Sequence, residues 1–157
     1  MDADLERDIA TLRTLIFTII ADMEKRFQAH MAQHGLTPPQ FYVLKTLTEH
    51  DGQCSIGFIA REHHLTNATL TGLVNRLEAM EPPLVRRERS KADRRSITVV
   101  LTQAGRERYK AVEDSLLEQL RLLLGLLSKE DRDDVIQKVQ LYVQIVTQMF
   151  PIDPISE

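Results

Sequence analysis

Cysteine is almost missing from this chain: Cys54 stands alone, so no internal disulfide can staple the fold. Tryptophan is absent, aromatic residues make up only 5%, and there are six glycines and six prolines. Strands favour aromatic and β-branched residues, so this composition argues against a β-sandwich and for a mainly helical chain. No stretch reaches the ~20 consecutive apolar residues that a spanning helix needs. The opening Met1-Asp2-Ala3-Asp4 is acidic where a secretory leader would be basic. The expected location is therefore cytoplasmic, with no membrane partner. Also lacking are a Gly-rich phosphate loop, a metal-ligand cluster of clear spacing, and a nucleophile with a nearby base. An enzyme is the least supported class, and neither a cofactor nor a metal is expected.

What is present is apolar material for a core (43% hydrophobic) and charge for solubility (27%), in 157 residues. That length suits one domain, or a small core extended by assembly helices. A net charge of -3 disfavours a polyanionic partner if read as a sum, but binding depends on where charge lies. Between Arg86 and Arg95, the cations Arg86, Arg87, Arg89, Lys91, Arg94 and Arg95 face only Glu88 and Asp93, a local excess of +4.

Leu5, Ile9, Leu12, Ile16, Ile19 and Met23 alternate steps of four and three, tracing a narrow stripe on one helix from about Asp4 to about Gln33. Such a helix is ~45 Å long, more than a domain of this size covers alone, and a second copy of the chain is the simplest cover. Gly35 ends it. Thr37-Pro38-Pro39-Gln40 then has the form of a helix start, with a capping threonine, proline at the first helical position and glutamine three residues after the cap. Asp51-Gly52 makes a turn, Ser55 caps a short helix, and Thr66 or Asn67 caps a third whose apolar side is Leu70, Leu73, Val74, Leu77 and Met80. After Pro82-Pro83, segments 84–89 and 96–101 read as strands around a polar tip. Thr102 caps a return helix, and Ser128 opens a last one striped by Ile136, Val139, Val143, Val146 and Met149.

A helix-turn-helix followed by a basic hairpin is the winged-helix order. Its second helix carries Asn67, Ala68, Thr69, Thr71 and Gly72 near the N-terminal end, with Arg76 further along in reach of phosphate. Asparagine can bond adenine through two hydrogen bonds, and alanine or a threonine methyl can touch the thymine methyl. The hairpin tip holds Lys91, Asp93, Arg94 and Arg95, a shape that can put an arginine into a narrow minor groove while Asp93 holds a guanidinium in place. The same stretches also fit a solvated helix face and a polar turn.

The run from Leu65 to Glu78, and above all Asp93-Arg94-Arg95 followed by Val99-Val100-Leu101-Thr102-Gln103-Ala104-Gly105, resembles the MarR family of winged helix-turn-helix transcriptional regulators. The resemblance spans nearly the whole chain. It implies a single domain over 1–157, with 37–101 as the DNA-binding lobe and 1–36 and 102–157 as helical dimerisation regions. It further implies a homodimer joined through Leu5, Ile9, Leu12, Ile16 and Ile19 of the first helix and Val139, Val143, Val146 and Met149 of the last. Each recognition helix would enter a major groove and each wing a minor groove of a palindromic double-stranded operator, with Arg95 the minor-groove arginine and Asp93 its partner. The protein would act as a repressor, released by a small, phenolic or aromatic acid or its thioester. Phe27, His30, Met31, Phe41, Tyr42 and Tyr109 could line the effector pocket, although aromatics and methionine at helical spacing also fit plain core. Two departures stand out: Gly72 replaces a larger, often basic residue, and Glu81-Pro82-Pro83 replaces a Gly-containing turn.

Other readings remain open. A winged helix can dock a protein instead of DNA. Cys54 could sense oxidation, although it lacks a basic neighbour in sequence. His30 and His34, with His63-His64, offer nitrogen donors for a metal sensor, fewer than a zinc site usually needs in good spacing.

Overall fold

The computed structural model describes residues 3–89 and 97–151. The order is α1 (Ala3–Gln33), α2 (Pro38–Glu49), β1 (Gln53–Ser55), α3 (Ile56–Glu62), α4 (Asn67–Glu78), β2 (Val85–Arg89), β3 (Ile97–Leu101), α5 (Gln103–Gly125) and α6 (Lys129–Met149). The fold is mainly helical, with a small antiparallel sheet in the order β1-β3-β2. It is a winged helix-turn-helix carrying long terminal helices. Contacts gather into two compact bodies, 1–113 and 114–157.

In the first body, α1 ends because Gly35 adopts φ +68°. The Leu36 N–H then reaches back to the Met31 carbonyl and the Gly35 N–H to that of Ala32, both at 3.0 Å, which satisfies carbonyls the helix would leave bare. The Arg108 guanidinium, from α5, donates to the His34 carbonyl beside that cap. At the start of α2 the Gln40 side-chain oxygen accepts the Thr37 N–H at 2.8 Å, and Pro38 occupies the first helical position, where a missing N–H costs nothing.

Leu44, Leu47, Ile59, Leu70, Val74, Leu77, Leu84, Val85 and Val99 are buried together as the core of this body. Each such side chain contributes roughly 1.5–3 kcal/mol relative to exposure. The strand β1 is an addition to the elements read from sequence. Its Cys54 lies opposite Val99, so β3 is paired on both sides.

The second body holds the later part of α5 and all of α6. Ser128 caps α6 by accepting the Asp131 N–H at 3.1 Å, and Glu130 and Asp131 place negative charge at the positive helix end. Among the described residues of α6 none is buried. No described helix is long and apolar enough to cross a membrane.

Candidate nucleic-acid interface

The helix-turn-helix is built on a tight corner between α3 and α4. His64 sits at φ +51°, the left-handed region, and lets the Leu65 N–H bond the Ala60 carbonyl at 2.8 Å. Thr66 then caps α4, accepting the Thr69 N–H at 3.1 Å. Leu70, Leu73, Val74 and Leu77 bury the back of α4, which leaves Asn67, Ala68 and Thr69 exposed at its start and Asn75 and Arg76 exposed further on. Thr71 and Gly72 are half-buried, and the Thr71 hydroxyl donates to the Asn67 carbonyl at 2.7 Å.

At Gly72 the structure shows what takes the room of the missing side chain. Arg76 folds back so that its Nε donates to the Gly72 carbonyl at 3.2 Å, and its guanidinium comes within 3.8 Å of the place a Cβ at 72 would occupy. A cation therefore covers the position that the sequence leaves bare.

The wing rests on β2 and β3, paired from Val85 opposite Leu101 to Arg89 opposite Ile97. Lys91, Asp93, Arg94 and Arg95, the predicted tip residues, lie outside the described residues. At the base of the hairpin the charge count changes its meaning. Arg86 pairs with Glu88 at 2.7 Å, and Arg87 pairs with Glu78 of α4 at 2.6 Å. Glu88 was already set against the cations in that count, but Glu78 lies outside it, so the Arg87 pair takes one further positive charge from the excess. No sequence rule pairs residues nine apart across a helix end and a strand, so the Glu78 partnership had no signal in the sequence.

The Leu101-Thr102-x-x-Gly105 run has a physical reason. Thr102 accepts the Gly105 N–H at 3.0 Å and donates to the Pro83 carbonyl at 2.6 Å, tying the return helix to the loop before the wing. A Cβ on Gly105 would lie 2.1 Å from the Leu84 carbonyl oxygen, so only glycine allows this approach.

Of the residues predicted for an effector pocket, Phe27, Phe41, Tyr42 and Tyr109 form one cluster of rings. Phe41 stacks on Tyr109 at 5.5 Å between ring centroids, and Phe27 meets both Phe41 and Tyr42 at 5.8 Å. His30 and Met31 are buried, while Tyr42 is exposed. Burial, then the neighbouring Glu113 carboxylate, pushes the Tyr109 phenol up. The rings of His30 and His34 lie 5.3 Å apart, and among the described residues no group of three or more His, Cys, Asp or Glu could hold a metal ion. Cys54 is buried, and burial followed by Glu62 pushes its thiol up, away from the reactive thiolate.

A groove-sized helix on a buried footing, joined to a two-stranded wing, defines a winged-helix protein of the DNA-binding kind. Comparison with known proteins narrows this. Residues 36–97 match the model of the MarR family. The chain is 33% identical over 147 residues to the transcriptional regulator HosA of Escherichia coli O157:H7, covering 88% of this chain and 97% of that one. A MarR family protein from Bacillus stearothermophilus superposes with a TM-score of 0.76 at 26% identity, over 94% of this chain and 99% of that one. A variant of MepR from Staphylococcus aureus, bound to an oligodeoxyribonucleotide, shares the fold with a TM-score of 0.66 at 23% identity, over 85% and 97% of the two chains. The chain belongs to the MarR family. It is a transcriptional regulator with a DNA-binding winged-helix fold, not an enzyme.

Proposed function

We propose that the chain works in the cytoplasm as a homodimer that grips a palindromic operator, with α4 in the major groove and the wing in the adjacent minor groove. The observation that carries this is the mounting of α4: a buried apolar back, a capped and exposed N-terminal end, and a fixed tie to the wing. Asn67 would read adenine, Ala68 and Thr69 thymine methyls, and Thr71 and Gly72 would give close approach. Arg76 would take phosphate. Lys91, Arg94 and Arg95 would supply the wing's positive charge, with Arg95 in the minor groove and Asp93 holding it.

Dimerisation is supported by apolar surface that a lone chain leaves in water. On α1, Leu5, Ile9, Leu12 and Ile19 are each at least half exposed, and Val139, Val143 and Met149 of α6 are equally bare. Ile16 and Val146, on the same stripes, are half-buried. We assign the protein a repressor role, ended by a small aromatic or phenolic acid, or its thioester, binding near Phe27, His30, Met31, Phe41, Tyr42 and Tyr109. The burial and raised pKa of Cys54 favour a ligand over thiol oxidation as the release signal.

The test is selection of duplexes from a random pool, then titration of the enriched and a random duplex over a salt series. A palindromic sequence should be enriched, and log affinity should fall with log salt by about 0.9 per phosphate contacted. Recovery of no preferred sequence together with affinity insensitive to salt would point to a protein-docking module instead.

A further inference from the structure

Among the described wing arginines, Arg87 is the one tied to the recognition helix through both its backbone and its side chain. Its backbone N–H donates to Glu78 Oε1 at 2.8 Å and its Nη1 to Glu78 Oε2 at 2.6 Å. Its Nη2 donates to Asn75 Oδ1 at 2.6 Å and lies 3.4 Å from the Thr71 carbonyl oxygen. Both terminal nitrogens are thereby engaged. Positions 71, 75 and 78 are spaced by four and three, so they form one stripe of α4, the stripe turned toward β2. Arg87 and Glu78 each keep only about a quarter of their side-chain surface exposed, 27% and 26%. A half-hidden, charge-assisted pair with two further acceptors is stiffer than the exposed pairs elsewhere in the chain.

We propose that Arg87 is a positioning residue: it contacts no DNA but locks the wing strand β2 to the recognition helix α4 through Glu78, Asn75 and Thr71, and so sets the spacing between the two groove-reading elements. The proposal rests on the DNA-binding reading above. Its physical basis is the state of the guanidinium. Glu78 cancels its charge, leaving little to attract a phosphate. Its planar fork matches the carboxylate and amide oxygens around it, which a lysine ammonium cannot do. An error of even ~0.5 Å in how a wing is held relative to its helix spoils simultaneous fit to two grooves. Asn75 is oriented by the same contact. Arginine only donates, so the amide oxygen must face Arg87 and the amide NH2 must turn away from it.

Arg87→Lys, Arg87→Gln, Glu78→Gln and the Glu78→Gln/Arg87→Gln double variant separate a strut from a phosphate contact. Each is titrated against the selected operator and a random duplex over a salt series, with helicity checked by circular dichroism. Hydrogen exchange of the β2 and α4 amides is followed in the DNA-free protein. We expect Arg87→Lys and Glu78→Gln each to weaken operator binding about tenfold, to leave random-duplex affinity within about threefold and to keep the salt slope. The double variant should be no worse than Arg87→Gln alone, because both remove one interaction. Amide protection at the β2–α4 junction should fall in every variant. The proposal is overturned if Glu78→Gln tightens binding, as loss of a negative charge alone would do. It is equally overturned if Arg87→Lys binds the operator like the parent while Arg87→Gln lowers the salt slope on both duplexes, or if amide protection is unchanged. A parent protein that selects no operator removes the DNA reading instead, and the exchange measurement still decides whether the strut exists.

Discussion

Gly105 shows how much one methyl group can decide. A Cβ there would fall 2.1 Å from the Leu84 carbonyl oxygen and 2.7 Å from Leu101 Cδ1. The first of these is main chain and cannot swing aside. Gly105→Ala should therefore destabilise the fold by about 3 kcal/mol, at the upper end of overpacking costs, measured by urea unfolding. A change below about 1 kcal/mol would mean that α5 can shift away from Leu84. His63 offers a second residue-scale prediction. Its ring shares a 2.7 Å hydrogen bond with the buried Thr46 hydroxyl and packs 5.8 Å from Tyr42. Burial lowers its pKa below the ordinary 6.5, with Lys45 and His64 acting in the same sense and Glu62 and Glu49 opposing. His34 is lowered as well, by burial, then by His30 and Arg108. The unfolded chain takes up these protons more readily than the folded one. Their contribution to stability is therefore complete above about pH 6.5 and is lost as the pH falls through the lowered values. The melting temperature should drop between pH 7 and 5 in the parent, and less steeply in His63→Gln. A parallel decline in both proteins would show that His63 is not a source of the effect.

Among the elements, α1 was the plainest to read, because a stripe of steps of three and four needs only the chain's own periodicity. The helix is found at Ala3–Gln33, and Met23 on its stripe is 63% exposed in the single chain. Met23→Glu should accordingly cost the protomer little and the dimer much. Sedimentation should report a smaller species with unchanged helicity, and an unaffected sedimentation value would take this face out of the interface. The two wing strands were legible to within a residue, as Val85–Arg89 and Ile97–Leu101. By contrast, Gln53-Cys54-Ser55 was not readable as a strand. Three residues are too few to show alternation, and β1 exists only because β3 offers its free edge. The exposed start of α4, Asn67 to Thr69, was legible from cap and stripe, whereas Thr71 and Gly72, read with it, are half-buried. The pairing of Arg87 with Glu78 was not, since a count of charges along the chain cannot tell a solvated arginine from one already held by a carboxylate.

Across the whole molecule, a net charge of -3 and a DNA-binding fold coexist because charge is unevenly placed. General attraction to polyanions should be modest. Shape matters as much as sign in such a protein. The sheet order β1-β3-β2 has its own outcome for a protein whose chain is cut. Because β3 is gripped from both flanks, a single break anywhere between Arg89 and Ile97 would leave the two fragments fastened edge to edge. They should travel together through gel filtration and part only when denatured, so a chain severed at the hairpin still behaves as one particle.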